Sequence, residues 1–183
     1  FNKQVSCVNG PFSPIEKPRV SDALDYEGEL AFVIGQRCRH VKAEDASSVI
    51  AGYMIANDVS VRDWQLHSAT WTIGKSFDTH GPIGPALVTP DEIEDPHNLD
   101  IRLYVNDEIR QDSNTSDMIY SCFDMVEYLS TVFTLEPGDI FATGTPEGVG
   151  TGFNPPKYLR VGDTVRCEIE GLGAIENEVI AEQ

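Results

Sequence analysis

The sequence predicts an α+β fold class in which β-strands outnumber helices. Residues 99–113 and 163–180 each alternate apolar and polar side chains about a short turn, which is the pattern of a β-hairpin. Only residues 116–138 combine sufficient length with apolar side chains near helical spacing. No internal repeat or linker interrupts the 183 residues, so we expect a single β-rich domain covering residues 1–183.

The first third of the chain predicts one strong strand and one short helix. Residues 1–25 are rich in Pro, Ser and Asn, which indicates an irregular segment with at most a short strand at 5–8. A strand is expected at 29–35 and a short amphipathic helix at 43–50. A β-leaning run, 52–61, follows that helix.

Glycine and proline divide the remaining elements. They interrupt residues 66–98, which predicts loops with one short strand near 85–89. The long helical pattern ends at Pro137 and Gly138, which are typical helix terminators. Residues 139–145 then predict another strand ahead of the last hairpin.

Composition excludes several function classes. The net charge of −17 and the pI near 4.4 repel nucleic acid and anionic membrane surfaces, and no apolar stretch is long enough to span a bilayer. The four cysteines lie far apart without a CxxC pair, so neither a zinc site nor a secreted disulfide framework is expected. A reducing compartment, the cytoplasm or an organelle matrix, fits this pattern.

Glu27 and Glu29 lie two positions apart where the strand predicted at 29–35 begins. Residues i and i+2 of a strand point the same way and lie roughly 7 Å apart. The same face continues into the apolar Ala31 and Val33, and buried carboxylates are costly without a cation or hydrogen-bond donors. The pair therefore indicates a bound cation, with two solvated strand charges as the alternative.

Asp58 strengthens the cation hypothesis. It follows the apolar run YMIAN. Aspartate is unfavourable within a β segment, so its presence there indicates a functional role. Three carboxylates, with water completing the coordination shell, suit hard cations such as Mg²⁺, Mn²⁺ or Ca²⁺ better than zinc. The EF-hand pattern does not occur, so we expect an open octahedral site that keeps water or substrate.

Two further residues are candidate catalytic groups. Lys75 lies among small and apolar residues, where its charge needs an anion; a substrate carboxylate or enolate would supply one, and a salt bridge to Asp78 or Asp63 is the alternative. Thr145 lies in a glycine-rich turn directly after a predicted strand. Such a turn lets backbone N–H groups and a hydroxyl approach a bound carboxylate closely.

Arg62 and Gln65 are candidate substrate-binding residues. If a helical turn begins after Asp58, the two side chains share one face, and Arg62 could clamp a carboxylate with two hydrogen bonds. A surface ion pair is the alternative for Arg62. The four histidines show no ligand spacing, and no cysteine has a recognisable histidine partner in sequence, so a covalent nucleophile is not indicated.

Five segments resemble, in order, the fumarylacetoacetate hydrolase family: DYEGELAFVIG, ANDVSVRDWQ, WTIGKSFDTHGPIGPALVT, SNTSDMIY and LEPGDIFATGTPEGVG. The resemblance runs from about residue 2 to 180. It is nearest to a branch that includes acylpyruvate hydrolases, 2-hydroxyhepta-2,4-diene-1,7-dioate isomerases and oxaloacetate decarboxylases. It implies packed mixed sheets with short helices and, usually, a homodimer.

The resemblance also implies site roles. The three acids named above would bind Mg²⁺ or Mn²⁺, Lys75 and Gln65 would face substrate, and Thr145 would touch a substrate carboxylate. Many family members carry a catalytic His and Glu on a lid helix ahead of the stretch that matches Phe1, Asn2 and Lys3. We therefore expect a catalytic domain that lacks this lid segment, and we assign no general base.

Together these features predict a divalent-metal-dependent enzyme of aromatic catabolism that acts on a small-molecule 2-oxo acid, such as an acylpyruvate or a ring-cleavage dicarboxylate. Breaking or protonating the bond beside the oxo group passes through an enolate, which a cation stabilises. We expect hydrolysis of a carbon–carbon bond. An isomerase or tautomerase, an oxaloacetate decarboxylase, and a non-catalytic protein that binds metal and oxo acid are the alternatives.

Overall fold

Two five-stranded sheets pack against each other in the computed structural model, which describes residues 1–183. In spatial order the first sheet contains β1 (Val8–Asn9), β7 (Gly81–Val88), β5 (Ile50–Asn57), β4 (Gly28–Ile34) and β10 (Ile140–Ala142). All neighbours are antiparallel except β1 and β7, so the sheet is mixed. The strand predicted at 29–35 is β4, an interior strand of this sheet between β5 and β10.

The second sheet is built mainly from the two predicted hairpins. In spatial order it contains β2 (Ile15–Lys17), β12 (Gly173–Ala181), β11 (Thr164–Ile169), β8 (Asp100–Val105) and β9 (Glu108–Asn114). Only β2 and β12 are parallel. Both hairpins are confirmed, and Asn106, Gly171 and Gly173 take the positive φ angles that such tight turns require.

Helices are few and short. The α-helices are α1 (Arg62–Gln65) and α2 (Cys122–Val132). The remaining helical segments are 3-10 helices: Val5–Cys7, Ala43–Val49, Thr72–Lys75, Pro90–Glu92, Thr115–Asp117 and Gly150–Gly152. The helix expected at 43–50 is thus a 3-10 segment. A separate pair of short strands, β3 (Leu24–Asp25) and β6 (Ser60–Val61), completes the fold.

α2 is shorter than the apolar pattern of residues 116–138 suggests. It begins after Ser121, whose hydroxyl accepts from the backbone N–H of Asp124 while the Asp124 carboxylate accepts from the backbone N–H of Ser121. It ends at Val132, because the next residues are extended and Leu135 bridges to Cys38. Ile119 therefore precedes the helix and is 90% exposed.

Two segments contain more strand than the sequence predicted. Residues 1–25 contribute β1, β2 and β3, each too short to show alternation. β7 begins at Gly81 instead of near residue 85, despite Pro82 and Pro85. Because β1 belongs to the first sheet and β2 to the second, residues 8–17 join the two sheets.

The two faces of β4 have different surroundings. Leu30, Phe32 and Ile34 belong to the main core between the sheets. Ala31 lies on the opposite face, in a smaller apolar cluster against which Val33 packs. Since side chains alternate along a strand, Glu29 shares this second face, which is turned away from the second sheet.

Candidate metal centre

Strand pairing brings the three predicted acids together. Gly28 of β4 pairs with Asn57 of β5, so the residues flanking these two positions lie side by side, and the backbone N–H of Asp58 donates to the carbonyl of Glu27 at 2.8 Å. One carboxylate oxygen from each of Glu27, Glu29 and Asp58 lies within 4.8 Å of the others. All three residues are buried. The geometry is that of a site for a small cation.

Lys75 lies at the same cluster. Its Nζ donates to Glu27 Oε2 at 2.6 Å and to Asp58 Oδ2 at 2.8 Å, and the residue is 2% exposed. The alternative salt bridges to Asp78 and Asp63 do not form. The anions that accompany this lysine are therefore two of the candidate metal ligands.

Arg62 and Gln65 share one face of α1, as expected. Arg62 Nη1 donates to Glu27 Oε1 at 2.6 Å and to Gln65 Oε1 at 3.1 Å, while its Nε donates to Asp25 Oδ2 at 2.8 Å. The alternative of a surface ion pair is wrong, because these carboxylates are buried. Arg62 Nη2 is also buried and has no partner within the chain.

The sequence did not single out two other charged residues at this site. Lys3 Nζ donates to Asp58 Oδ1 at 2.6 Å, and the neighbouring Phe1 ring lies 4.8 Å from Lys75 Nζ. Asp25 is fully buried, and its carboxylate holds the Arg62 side chain. The amino-terminal stretch therefore borders the acid cluster.

The carboxylate of Asp25 also fixes a loop. Its Oδ1 accepts from the backbone N–H of Tyr26 at 2.9 Å and of Gly150 at 2.7 Å, and its Oδ2 accepts from the backbone N–H of Thr151 at 2.9 Å. A Cβ built on Gly150 would lie 2.6 Å from Asp25 Oδ1, so only glycine permits this approach. The glycine-rich loop after β10 is thereby fixed beside Arg62.

Glu29 is the acid without a cationic partner. Its Oε2 accepts from the backbone N–H of Gly144 at 2.8 Å. Burial, followed by the negative charges of Asp58 and Glu27, raises the pKa of Glu29 to about 8. Of the three acids, Glu29 would therefore be stabilised most, in its ionised form, by a bound divalent cation.

The other two acids respond differently to the same burial. Desolvation raises the pKa of Glu27, even though Lys75 and Arg62 oppose the shift. Desolvation would also raise the pKa of Asp58, but Lys3 and Lys75 outweigh it and hold that pKa below its ordinary value. Position within the ion-pair network therefore decides which carboxyl stays ionised.

The donor set fits a hard divalent cation. It consists of carboxylate oxygens alone, which suit Mg²⁺ or Mn²⁺, with water or substrate completing six-fold coordination. None of the four histidines hydrogen-bonds or ion-pairs with these acids. His80, for example, bonds through Nε2 to the carbonyl of Glu16, and burial lowers its pKa to about 4.

Thr145 lies next to the acids and is held there by Gly28 and by Gln111 of the second sheet. Its hydroxyl donates to the carbonyl of Gly28 at 3.0 Å and accepts from Nε2 of Gln111 at 2.8 Å. The only proton of this hydroxyl is therefore engaged with the backbone. A substrate carboxylate at this turn would meet backbone N–H groups unless the Thr145 hydroxyl turned away from Gly28.

A cavity of about 300 Å³ lies on the other side of the turn at residues 143–146. Leu30 and Met125 contribute to its apolar lining, and Asn114 and Asp117 to its polar lining. None of the three acids lines it, and Leu30 belongs to the opposite face of β4 from Glu29. The cavity and the acid cluster are therefore separate features that share one turn.

A family model described as the C-terminal domain of fumarylacetoacetate hydrolase matches residues 1–180. The chain belongs to the fumarylacetoacetate hydrolase family. Family membership, predicted from five ordered motifs, is therefore confirmed. The predicted fold class is confirmed as well, because the crystal structure of a fumarylacetoacetate hydrolase from Exiguobacterium antarcticum superposes with a TM-score of 0.96 at 42% identity, covering 100% of this chain and 66% of that one.

Other members of the fumarylacetoacetate hydrolase family are named as enzymes. The mitochondrial oxaloacetate tautomerase of Xenopus laevis is 50% identical over 182 residues, which is 98% of this chain and 57% of that protein. A maleylpyruvate hydrolase from a Sphingobium species, solved with manganese(II) and pyruvate, has a TM-score of 0.89 and 39% identity, covering 100% of this chain and 64% of that one. The chain thus spans less than two thirds of these proteins. It contains no helix that is long and apolar enough to cross a bilayer.

Proposed function

We propose that this chain is the catalytic domain of a divalent-metal-dependent enzyme that moves a proton beside the oxo group of a small 2-oxo dicarboxylic acid. Keto–enol tautomerisation of an oxaloacetate-like substrate is the reaction that we favour. The observation that carries the proposal is the buried cluster of Glu27, Glu29 and Asp58. The 50% identity to a protein named oxaloacetate tautomerase supports the choice of reaction.

The three acids would hold Mg²⁺ or Mn²⁺. When bound, such a cation supplies positive charge that favours the enolate form of a 2-oxo acid over its keto form. Two observations support this assignment: the donor set consists of carboxylates alone, and Glu29 has no lysine or arginine partner within the chain.

The cationic side chains would bind and orient the substrate. Lys75 Nζ directs two of its three protons at Glu27 and Asp58, so one proton remains for an oxygen atom of the substrate. Arg62 Nη2 is a buried donor without a partner, and a substrate carboxylate would satisfy it. Gln65, held by Arg62, presents its amide nitrogen as a further donor.

Water is not a reactant in tautomerisation, so no group that activates water is needed. The reaction needs a proton to leave one atom of the substrate and to arrive at another. Lys75 Nζ can hold a proton against the 2-oxo oxygen during that exchange. The group that accepts the carbon-bound proton stays unassigned among residues 1–183.

Hydrolysis of a carbon–carbon bond, which the sequence alone favours, is the second candidate. The structural likeness to a maleylpyruvate hydrolase favours it. The roles of Lys75 and Arg62 would be the same, and an activated water would be needed in addition. Decarboxylation and binding without turnover would appear as further outcomes of the same assay.

The complete protein should be tested with enol-oxaloacetate, acetylpyruvate and fumarylpyruvate by following the ultraviolet loss of the enol. We expect faster ketonisation of oxaloacetate, its abolition by a chelator and its recovery with Mg²⁺ or Mn²⁺. Pyruvate released together with a second carboxylic acid would instead indicate hydrolysis. Activity that survives exhaustive chelation would contradict the metal proposal.

A pair of lysine variants tests the assignment of the site. Lys75→Met should lower turnover by about 100-fold or more, since it removes a donor that faces the developing charge. Lys157→Met is the matched control, because Lys157 is partly exposed and pairs with Glu108 away from the acids. Equal activity of the two variants would remove Lys75 from the proposed mechanism.

We also propose that the protein is a homodimer. Ile119, Tyr120, Tyr128 and Val132 are large apolar residues, at or near α2, that are each more than 60% exposed. Apolar surface of this kind is typical of subunit interfaces. Light scattering coupled to size exclusion would test the proposal, and a monomeric mass would contradict it.

We propose a mitochondrial location, and within the organelle the matrix, because the Xenopus relative is named as mitochondrial; the cytoplasm is the alternative. Both are reducing, which suits four free cysteines. Fractionation of cells that express the complete protein would distinguish the two compartments.

A further inference from the structure

Gly28 separates two of the candidate metal ligands, and the second sheet presses directly on its backbone. A Cβ built at Gly28 would lie 2.8 Å from Cys167 Sγ and 3.2 Å from Leu103 Cδ1. Real Cβ atoms do not approach a neighbour so closely, so no larger residue fits here. The second sheet therefore contacts the main chain between Glu27 and Glu29 on the face of β4 opposite to the acids.

A closed ring of hydrogen bonds fixes this stretch of backbone. Oε1 of Gln111 accepts from the N–H of Gly28 at 3.0 Å, and Nε2 of Gln111 donates to Oγ1 of Thr145 at 2.8 Å. Thr145 Oγ1 in turn donates to the carbonyl of Gly28 at 3.0 Å. Gln111 lies on β9, in the second sheet, and is 1% exposed.

The two bonded groups of Gly28 belong to different peptide units. Its N–H is part of the peptide that joins it to Glu27, and its carbonyl is part of the peptide that joins it to Glu29. Because each peptide is planar, holding both units fixes the Cα–C bond of Glu27 and the N–Cα bond of Glu29, and so restricts the positions from which the two side chains start. Gln111 also donates to the carbonyl of Pro146 at 2.8 Å, in the turn whose Gly144 N–H holds the Glu29 carboxylate.

We propose that Gln111 is a positioning residue for the metal centre. It aligns the Glu27 and Glu29 side chains through Gly28, and the Gly144 N–H through the turn, without touching metal or substrate. This inference rests on the proposed metal site. Groups that orient metal ligands typically change metal affinity by about 10- to 100-fold when they are removed.

Binding of Mn²⁺ to the complete protein, followed by paramagnetic resonance of the bound ion and by calorimetry, tests the proposal without relying on turnover. Gln111→Met approximately keeps the side-chain volume and removes every hydrogen bond of the amide, those to Gly28, Thr145 and Pro146 included. We expect it to weaken Mn²⁺ binding by about 10-fold or more and to change the resonance line shape of bound Mn²⁺.

Asn177→Met is the matched control. Asn177 is a fully buried amide on β12 of the same sheet, and its Nδ2 donates to the carbonyls of Ser13 and Gly10; its side chain makes no hydrogen bond to Gly28, to the turn at 143–146 or to the three acids. It should lower the melting temperature as Gln111→Met does, and it should leave Mn²⁺ affinity within about two-fold.

The outcomes separate this proposal from the proposed function. Absence of Mn²⁺ binding by the unaltered protein would overturn the metal site and the inference with it. Unaltered binding followed by equal affinity of Gln111→Met would overturn the inference alone. If Gln111→Met does not fold, Thr145→Val removes two bonds of the same ring, and its affinity should fall in the same direction; an unchanged affinity would overturn the proposal.

Discussion

The two faces of β4 bury opposite kinds of side chain, apolar residues on one face and charged residues on the other. Leu30, Phe32 and Ile34 are almost completely buried among apolar side chains from both sheets. Glu29, on the other face, and Glu27 just before the strand are buried among charges. The apolar face stabilises the strand, and that stability allows the other face to hold groups that destabilise it.

The two faces are similar in how much the loss of one contact changes the free energy of unfolding. Burying one large apolar side chain contributes about 1.5–3 kcal/mol, whereas breaking a buried ion pair costs about 3–5 kcal/mol. Removing a buried apolar side chain from one face, or one partner of a buried ion pair beside the other, should therefore lower stability to a similar extent. Only substitutions that disturb the three acids should change metal binding, so the two measurements together show whether a residue supports the acids or the apolar core.

The largest effect is expected from Asp58→Ala. Lys75 would lose one of its two buried carboxylates and Lys3 its only one, so metal-free stability should fall by about 3–5 kcal/mol. Saturable Mn²⁺ binding should also disappear. Urea denaturation and calorimetry would measure the two losses.

Asp22→Ala is the control for that variant. Asp22 is fully exposed and pairs with Lys17, so its removal should change neither quantity measurably. Retention of Mn²⁺ binding by Asp58→Ala would show that the acid face does not act as a metal site.

The second prediction concerns pH. The pKa of Glu29 in the folded, metal-free chain is about 8, above its ordinary value of 4.5, so the native state holds this proton more tightly than the unfolded state. The stability that this proton contributes is fully present below pH 4.5 and is lost as pH rises through 8. Glu29→Gln should therefore match the unaltered protein at pH 4 and exceed its stability at pH 9 by on the order of 4 kcal/mol.

Denaturation of both proteins in a chelator across this pH range would test the expectation. With saturating Mn²⁺ the order should reverse at high pH, because a charged carboxylate binds the ion more strongly than a neutral amide does. A stability difference independent of pH would show that Glu29 is already ionised in the metal-free fold.

Gly28→Ala disturbs both faces at once and should have the third largest effect. The new methyl group would collide with Cys167 Sγ, which should cost about 1–3 kcal/mol and displace Glu27 and Glu29 enough to weaken Mn²⁺ binding. Adding Cys167→Ala should restore part of both losses. Gly152→Ala, which meets only one atom at 3.9 Å, should be close to neutral.

Val33→Ala should have the smallest effect. Val33 is only partly buried and packs against the small cluster of Ala31, Met54 and Ala56. Loss of its two methyl groups should cost about 1 kcal/mol and leave Mn²⁺ affinity unchanged. A large loss of affinity would show that this cluster supports the acids directly.

Local patterns explain what the sequence could predict. The hairpins, the strand at β4 and the shared face of Glu27 and Glu29 all follow from a two-residue period. The position of Asp58 beside them follows from the antiparallel pairing of β4 with β5. The capping residues Ser121 and Asp124 were available as a signal for the start of α2, and they would have corrected its length.

Contacts between distant parts of the chain explain what was missed. Gln111 is 83 residues from Gly28, and its only signal is a polar side chain at a position of β9 that faces the core opposite Leu103. Lys3 lies in an irregular segment without periodicity, so nothing local connects it to Asp58. Asp25 offered a signal, because it precedes Glu27 by the same two-residue step that separates Glu27 from Glu29.

The segment at residues 8–17 ties the beginning of the chain to its end. β2 lies along β12, and the backbone N–H of Glu182 donates to the carbonyl of Lys17 at 3.2 Å. Within the sheet β2 pairs only with β12, so β2 would lose its strand partner if β12 were removed. Deleting β12 should therefore loosen the amino-terminal segment that carries Lys3. The ion pair between Lys3 and Asp58 would then weaken, although the deletion lies more than 100 residues away from both.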